Sequence, residues 1–393
     1  MKQIKVLILL LLILLSGCQK KEEEIIPTPE ETVLEVRELS LEHEEEFGGV
    51  YLKMPIEEFN ALGFDYGDSV DVFFSNGYKL EDIPYYNGYY VDAGKPLLIA
   101  YPGYEYIKAA VNYGEDIWQS GGLKAGMGPS LYMDVKLKEH DTADVLLREK
   151  GKYLDIQKAS DISYSDDITK YPDVISFTNF RNIEMGEIAK GRVYRSASPC
   201  DDQHKRAPYV DELIKENGVN FILDLADNEV KIERYIHAEG FSSPYFLSLY
   251  ERDRVCPLGL NMNYLSEEFG DLVAQGFKVL AENEGPYLIH CTEGKDRTGF
   301  VCMLLEMLAG CAYEDIRDDY MITYVNYYQI DEESQPDKYQ TILEKNLHGM
   351  LRKVIGDDTI DFRNTDLSVY ARAYLSKHGM SEEEMGSLLN KIG

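Results

Sequence analysis

A short apolar run, Tyr287-Leu288-Ile289, leads into His290-Cys291-Thr292-Glu293-Gly294-Lys295-Asp296-Arg297-Thr298-Gly299, and a strongly apolar stretch then continues to Leu308. This is the pattern of a buried strand, a tight loop with a glycine inside it, and a helix opening at Thr298-Gly299. A strand that hands over to a helix through a few residues constrains the surrounding chain to an α/β layer arrangement.

The flanking sequence agrees from about Thr178 onward. Val193-Tyr194-Arg195 reads as a short strand, Ala207 to Glu216 as a helix stopped by Gly218, and Phe221 to Leu225 as a buried strand. Glu229 to Glu239 reads as a helix, and Tyr245-Phe246-Leu247 as a further strand. Ser266 to Glu282 is an amphipathic helix with Phe269, Leu272, Val273, Phe277 and Leu280 on one face. The remainder to Gly393 is mostly helical. We therefore assign 178–393 to an α/β domain.

The preceding chain divides into three parts. Residues 1–17 carry two lysines, an unbroken apolar run from Val6 to Leu15, and Leu15-Ser16-Gly17 before Cys18, the layout of a secretory signal with a small-residue cleavage site. The run is about half the ~20 residues that a membrane span needs. Residues 18–46 are charged, contain Pro27 and Pro29 and show no sustained apolar period, which predicts an acidic tether. Residues 47–150 predict a small all-β, barrel-like domain. Its strand candidates are Val70 to Phe74 before a Ser75-Asn76-Gly77 turn, Tyr89-Tyr90-Val91, Pro96 to Ala100, and Leu131 to Leu137.

A net charge of −30 disfavours nucleic acid as a partner and requires local cations for any anionic substrate. The six cysteines, Cys18, Cys200, Cys256, Cys291, Cys302 and Cys311, are too few for a disulfide scaffold in a chain of 393 residues. Cys200 and Cys256 could pair, although nothing in the sequence brings them together. No Cys-x-x-Cys or Cys/His cluster suggests a zinc site.

Spacing alone does not single out the reactive cysteine. Three Cys-x5-Arg matches occur, Cys200 to Arg206, Cys291 to Arg297 and Cys311 to Arg317. Only Cys291 has a strand before it, a glycine in the loop and a helix after it. Backbone N–H groups curling at a helix N-terminus bind a dianion, and the same field favours a thiolate at the loop. A thiolate can attack phosphorus, and the planar Arg297 fork can grip two phosphate oxygens. Thr298 can donate its hydroxyl to the sulfur in the second step.

With those residues in place, the segment resembles the signature loop of the cysteine-dependent tyrosine and dual-specificity phosphatases. It is most similar to the bacterial secreted tyrosine/lipid phosphatases whose loop reads His-Cys-x-x-Gly-Lys-Asp-Arg-Thr-Gly. The resemblance extends to Gly191 through Ser196, to Asp224-Leu225 with Glu229, and to Tyr374-Leu375 and Gly379 through Leu389. It implies the tyrosine phosphatase fold, a phosphocysteine intermediate on Cys291 with no metal or cofactor, and phosphate held by Thr292, Glu293, Gly294, Lys295, Asp296, Arg297 and Thr298. It also implies a general acid, and two candidates stand side by side. Asp253, within Glu251-Arg252-Asp253-Arg254, has the interval before the cysteine found across the superfamily. Asp296 is the loop acid of the Lys-Asp subfamily.

Lys295 resembles the lysine that family members associate with phosphoinositide turnover, or it offsets Glu293 and Asp296. Arg195 is expected to pair with Glu229 or Asp224, or to touch substrate, and His290 to support the loop. Leu15-Ser16-Gly17-Cys18 resembles the lipobox of bacterial lipoproteins, which implies lipidation at Cys18 and an extracytoplasmic body anchored at the membrane. The run from Tyr101-Pro102-Gly103-Tyr104 to Gly114 resembles the C-terminal barrel of SAM-dependent hydroxide adenosyltransferases and implies a barrel shape only. The expected substrates are phosphotyrosine proteins or small phosphomonoesters, with dual or lipid specificity. The alternatives are an inositol-polyphosphate phosphatase and an inactive phosphate-binding module.

Overall fold

The computed structural model describes residues 34–45, 48–92, 94–112, 116–120, 136–264 and 266–393. Cys18, the signal segment and all but the last two residues of the strand expected over Leu131 to Leu137 lie outside the described residues, and those two, Lys136 and Leu137, are not in a strand.

Seven strands close into a barrel in the order β1-β2-β6-β5-β4-β3-β7. They are β1 (Glu35–His43), β2 (Val50–Pro55), β3 (Ser69–Phe74), β4 (Lys79–Tyr86), β5 (Pro96–Ile99), β6 (Tyr106–Val111) and β7 (Thr142–Glu149). All neighbouring pairs are antiparallel except β4 with β5. The expected tether is corrected here. Residues 35–43 form β1, paired to β2 at Leu41↔Leu52 and to β7 at Ser40↔Thr142. Leu39 and Leu41 face the core while Glu38, Ser40 and Glu42 face outward. The charges that suggested a tether are the solvent face of a period-two strand. The barrel therefore spans Glu35 to Glu149, starting before residue 47.

Tyr89-Tyr90-Val91 is a bend, not a strand. These residues pack outside the barrel with Tyr86, Leu97, Tyr153 and Ile156. Helix α1 (Leu154–Ser160) follows the barrel and packs on the C-terminal helical region.

The second sheet has the order β11-β10-β12-β9-β8, with β8 (Arg181–Met185), β9 (Ile188–Ser196), β10 (Phe221–Asp224), β11 (Val255–Pro257) and β12 (Tyr287–His290). β11, β10, β12 and β9 run parallel, and β8 is an antiparallel edge. Helices α2 (Ala207–Glu216), α3 (Glu229–Ile236) and α4 (Pro244–Tyr250) cover one face. Helices α5 (Glu267–Glu282), α6 (Asp296–Leu308) and α7 (Tyr313–Tyr328) lie with the other. Both faces being covered explains why β10 and β12 are fully buried, apolar up to their last residues, Asp224 and His290.

The strand expected at Tyr245-Phe246-Leu247 is instead α4. Pro244 opens it, and the Asp211 carboxylate accepts the N–H groups of Tyr245 and Phe246 at 3.1 and 2.6 Å. Cys200 and Cys256 are both free thiols, packed into the cores on opposite faces of the sheet. Among the described residues no helix is long and apolar enough to cross a membrane.

Candidate active site

The loop after β12 lies at the carboxyl edge of a parallel sheet, between the ends of β10 and β9, where open α/β sheets bind ligands. Its shape follows from where its carbonyl groups go. Thr292 O accepts the Ser198 N–H at 3.1 Å, and Glu293 O accepts the Tyr327 hydroxyl at 2.8 Å. Gly294 O accepts both Asn179 Nδ2 and Arg195 Nη2 at 3.1 Å, and Lys295 O takes the first α6 bond from Gly299 N–H. The carbonyls of Thr292, Glu293 and Gly294 are thus tied to other elements and that of Lys295 to the helix, while the N–H groups of residues 292–297 have no acceptor among the described residues. Gly294 is required at φ +69°, where a Cβ would lie 2.2 Å from Ser196 O.

Cys291 sits at the floor of this loop, 3% exposed. Arg297, on the first turn of α6, donates from Nη1 to Leu260 O at 3.0 Å and from Nη2 to Thr292 Oγ1 at 3.4 Å. Its buried Nε has no partner, and neither does the buried Thr298 Oγ1. Leu260 is itself fixed, since the N–H groups of Leu258, Gly259 and Leu260 bond to the carbonyls of Asp224, Asp227 and Leu225. The structure thus ties Arg297 back to Thr292, the residue next to Cys291, and leaves Thr298 Oγ1 unpartnered one residue further along α6.

The two acid candidates are separated by the sheet. Strand register places Cys256 level with Ile289, both opposite Leu223. Asp253 precedes β11 and Cys291 follows β12, so about 16 Å of strand rise lies between them. Asp253 occupies a left-handed turn at the amino edge and lines a surface depression with Glu229, Glu233 and Glu251. The structure therefore does not bring Asp253 to the Cys291 loop. Counting residues along the chain could not tell which edge of β11 it would occupy.

Asp296 remains at the loop, on the first residue of α6. Burial pushes its carboxyl above the ordinary range, while Lys295 at 3.7 Å pulls it back. Lys295 is held by Glu293 at 3.2 Å and by the Tyr328 hydroxyl at 3.1 Å, so it does offset its two acidic neighbours.

Arg195 pairs neither with Glu229 nor with Asp224. Its partner is Asp319 on α7, far away in sequence. His290 is fully buried with Nδ1 3.3 Å from Cys291 O, and burial pushes its pKa down to about 4, so a neutral ring donates to that carbonyl. The two other Cys-x5-Arg arginines are structural. Arg206 donates to Phe177 O and lies over Tyr164, Phe177 and Tyr327, and Arg317 pairs with Asp318.

Sequence reasoning missed Asn179, Ser198, Asp319 and Tyr327 as loop supports, because each reaches the loop from a different element. One set of possible metal donors converges among the described residues. Cys200, Asp224 and Asp227 place one donor atom each within 4.8 Å of one another, buried behind the loop. Burial pushes both carboxyls up to about 6, and the Asp224 carboxylate also caps the N–H groups of Ala226 and Asp227.

Similarity to known proteins falls on the same region. The model of the tyrosine phosphatase family matches residues 173–391. A Cupriavidus necator protein provisionally named a tyrosine-protein phosphatase is 28% identical over 151 residues, covering 34% of this chain and 54% of that protein. The chain thus spans about half the length of this curated relative. The family match includes the whole second sheet, the Cys291 loop and the helices that hold it. The chain belongs to the tyrosine phosphatase family.

Proposed function

We propose that this chain hydrolyses phosphate monoesters through a phosphocysteine intermediate, with phosphotyrosine proteins as its main substrates. The supporting observation is the set of loop amides without acceptors that follows Cys291, together with the Arg297 guanidinium fixed on Thr292 and Leu260. Amides at a helix N-terminus and a forked cation are complementary to three equatorial phosphoryl oxygens.

In this reading the Cys291 thiolate attacks phosphorus, the P–O ester bond breaks, and Asp296 gives its proton to the leaving oxygen. The resulting Asp296 carboxylate then takes a proton from water as that water attacks phosphorus. The P–S bond breaks, inorganic phosphate leaves, and the Thr298 hydroxyl stabilises the departing thiolate. Residues 292–297 hold the phosphoryl oxygens in both steps. His290 and Arg195 keep the loop carbonyls turned away.

The test is hydrolysis of p-nitrophenyl phosphate by the full chain and by Cys291→Ser. Turnover by the first, none by the second, and covalent phosphate trapped on the first by acid quench are expected. Undiminished turnover by Cys291→Ser would put the chemistry elsewhere. For the cellular setting, the lipobox-like Leu15-Ser16-Gly17-Cys18 supports a lipid anchor on Cys18 and an extracytoplasmic catalytic body. Incorporation of labelled palmitate that persists in Cys18→Ala would exclude it.

A further inference from the structure

Behind the Cys291 loop, four buried side chains converge from the carboxyl ends of three strands. Period-two alternation carries the face of Ile222 and Leu288, which pack with Cys200, forward to Asp224 and His290. These two are register partners on β10 and β12, and His290 Nε2 lies 3.8 Å from Asp224 Oδ2. Cys200 follows β9 and Asp227 follows β10. One donor atom each of Cys200, Asp224 and Asp227 lies within 4.8 Å of the other two. None of the four side chains is more than 3% exposed.

Local bonds fix the role of each atom. The Cys291 carbonyl can only accept, so His290 Nδ1 carries the proton and Nε2 presents a lone pair. The Ser198 hydroxyl oxygen accepts the N–H groups of Cys200 and Asp201 at 3.2 and 2.9 Å, so its own proton goes to Cys200 Sγ at 3.4 Å. Asp224 Oδ1 accepts the Ala226 and Asp227 N–H groups. Asp227 Oδ1 has the Tyr235 hydroxyl at 3.5 Å and Lys231 Nζ at 3.7 Å. Asp224 Oδ2, Asp227 Oδ2 and His290 Nε2 stay buried with no hydrogen-bond partner among the described residues. Buried lone pairs gathered in this way need a positive charge among them. A proton shared by the two carboxyls would serve Asp224 and Asp227 and leave His290 Nε2 unanswered. A divalent cation serves all four side chains.

We propose that Cys200, Asp224, Asp227 and His290 form a zinc site that ties the carboxyl ends of β9, β10 and β12 together behind the Cys291 loop. Zinc takes imidazole nitrogen and carboxylate oxygen at ~2.0–2.2 Å, so two such ligands on one ion lie at most ~4.4 Å apart. The 3.8 Å between His290 Nε2 and Asp224 Oδ2 is within that limit. The mixed sulfur, nitrogen and oxygen set suits zinc and disfavours magnesium and calcium, which take oxygen. All four ligands come from the chain, the pattern of a closed site with a holding role rather than one that keeps a position for substrate. The Nδ1–H bond to Cys291 O is the outer bond that metal-bound histidines make, and it links the ion to the backbone of the nucleophile. On binding, the Cys200 thiol releases its proton to solvent. The ion with one thiolate and two carboxylates then carries one net negative charge, which Lys231 beside Asp227 offsets. No step of the reaction at Cys291 runs through the ion.

Metal binding is measured on the full chain carrying Cys291→Ser, so that the loop thiol supplies no ligand, and on this parent with Cys200→Ser or Asp227→Asn added. Elemental analysis after zinc loading should find one zinc per parent chain. Cobalt exchange should give the visible bands of a tetrahedral site and a sulfur-to-cobalt charge-transfer band, which Cys200→Ser abolishes. Each added substitution should weaken zinc binding more than ~100-fold, beyond the loss from deleting an outer hydrogen bond. A chelator should lower the melting temperature of the parent and leave that of Asp227→Asn in place. A parent that takes up no zinc, a cobalt derivative without the charge-transfer band, or an unchanged zinc affinity in either variant would overturn the site. A proton shared by Asp224 and Asp227 is then the occupant. If Cys200→Ser loses its native circular dichroism, the cobalt spectrum of the parent and the affinity of Asp227→Asn decide. Turnover of p-nitrophenyl phosphate by the chain with Cys291 intact is a separate measurement, so loss of the zinc site leaves the phosphatase reading standing.

Discussion

Arg195 holds Gly294 from across the sheet, its Nη2 donating to the glycine carbonyl at 3.1 Å from a side chain that is 1% exposed. Its other arm binds Asp319, which also accepts Arg181 Nε at 2.7 Å. Burial by itself would raise the Asp319 carboxyl, but Arg181 and Arg195 outweigh it and hold the carboxyl far below the usual range. Asp319→Asn removes the carboxylate that both guanidinium groups bind. The expected cost is about 3–5 kcal/mol of unfolding free energy, read from urea melts at neutral pH. Because the Asp319 carboxyl is depressed, its contribution is complete above the ordinary carboxyl range and is lost as pH falls below it. The gap between wild type and Asp319→Asn should therefore narrow in acid.

Gly294→Ala should damage catalysis more than stability. A methyl group there meets Ser196 O and Ala197 N, both backbone atoms that cannot swing aside, on a left-handed backbone. The loop must shift, and the Thr292 to Lys295 amides lose their common focus. A displacement of about 1 Å costs on the order of 10²-fold in kcat/KM. Turnover of p-nitrophenyl phosphate with a thermal melt on the same sample separates this from simple unfolding.

The strand–loop–helix unit around Cys291 was legible because every signal for it is local. Tyr287 to His290 is a strand, and α6 opens at Asp296, two residues before the expected Thr298. Helix α2 coincides with the expected Ala207 to Glu216 for the same reason. Long-range partners were not legible. Arg195 meets a residue 124 positions away, and the edge of β11 on which Asp253 falls depends on strand order rather than on spacing. The charged residues of β1 concealed a strand, because only Leu39 and Leu41 mark its inner face. Tyr245-Phe246-Leu247 has strand-like residue types, yet Asp211 and Pro244 together start a helix there.

Asp296 and Asp253 should part company in pH profiles. A general acid works protonated, and burial has raised the Asp296 carboxyl, so protonated enzyme persists above the ordinary carboxyl range. Turnover of a poor-leaving-group aryl phosphate should fall as pH rises through that raised value. In Asp296→Asn this limb should vanish and kcat should drop about 10²–10⁴-fold. Asp253→Asn, at the far edge of the sheet, should keep both the rate and the profile. An intact alkaline limb in Asp296→Asn would remove Asp296 from the role.

Removing β1 should open the barrel. Chains beginning at residue 34 and at residue 47 differ by this strand, which pairs with β2 on one side and β7 on the other. The longer one keeps both ladders and the buried Leu39 and Leu41. The shorter one exposes two strand edges and the apolar surface that the two leucines covered, at roughly 1.5–3 kcal/mol for each leucine. Open edges of that kind pair with other chains. The 47-start protein should therefore melt at lower temperature and run as soluble aggregate on size exclusion, while the 34-start protein stays native. Leu41→Asp within the longer chain should reproduce part of the loss without removing any backbone, because it buries a carboxylate in the barrel core. Equal melting of the two truncations would mean that residues 35–43 behave as a tether after all.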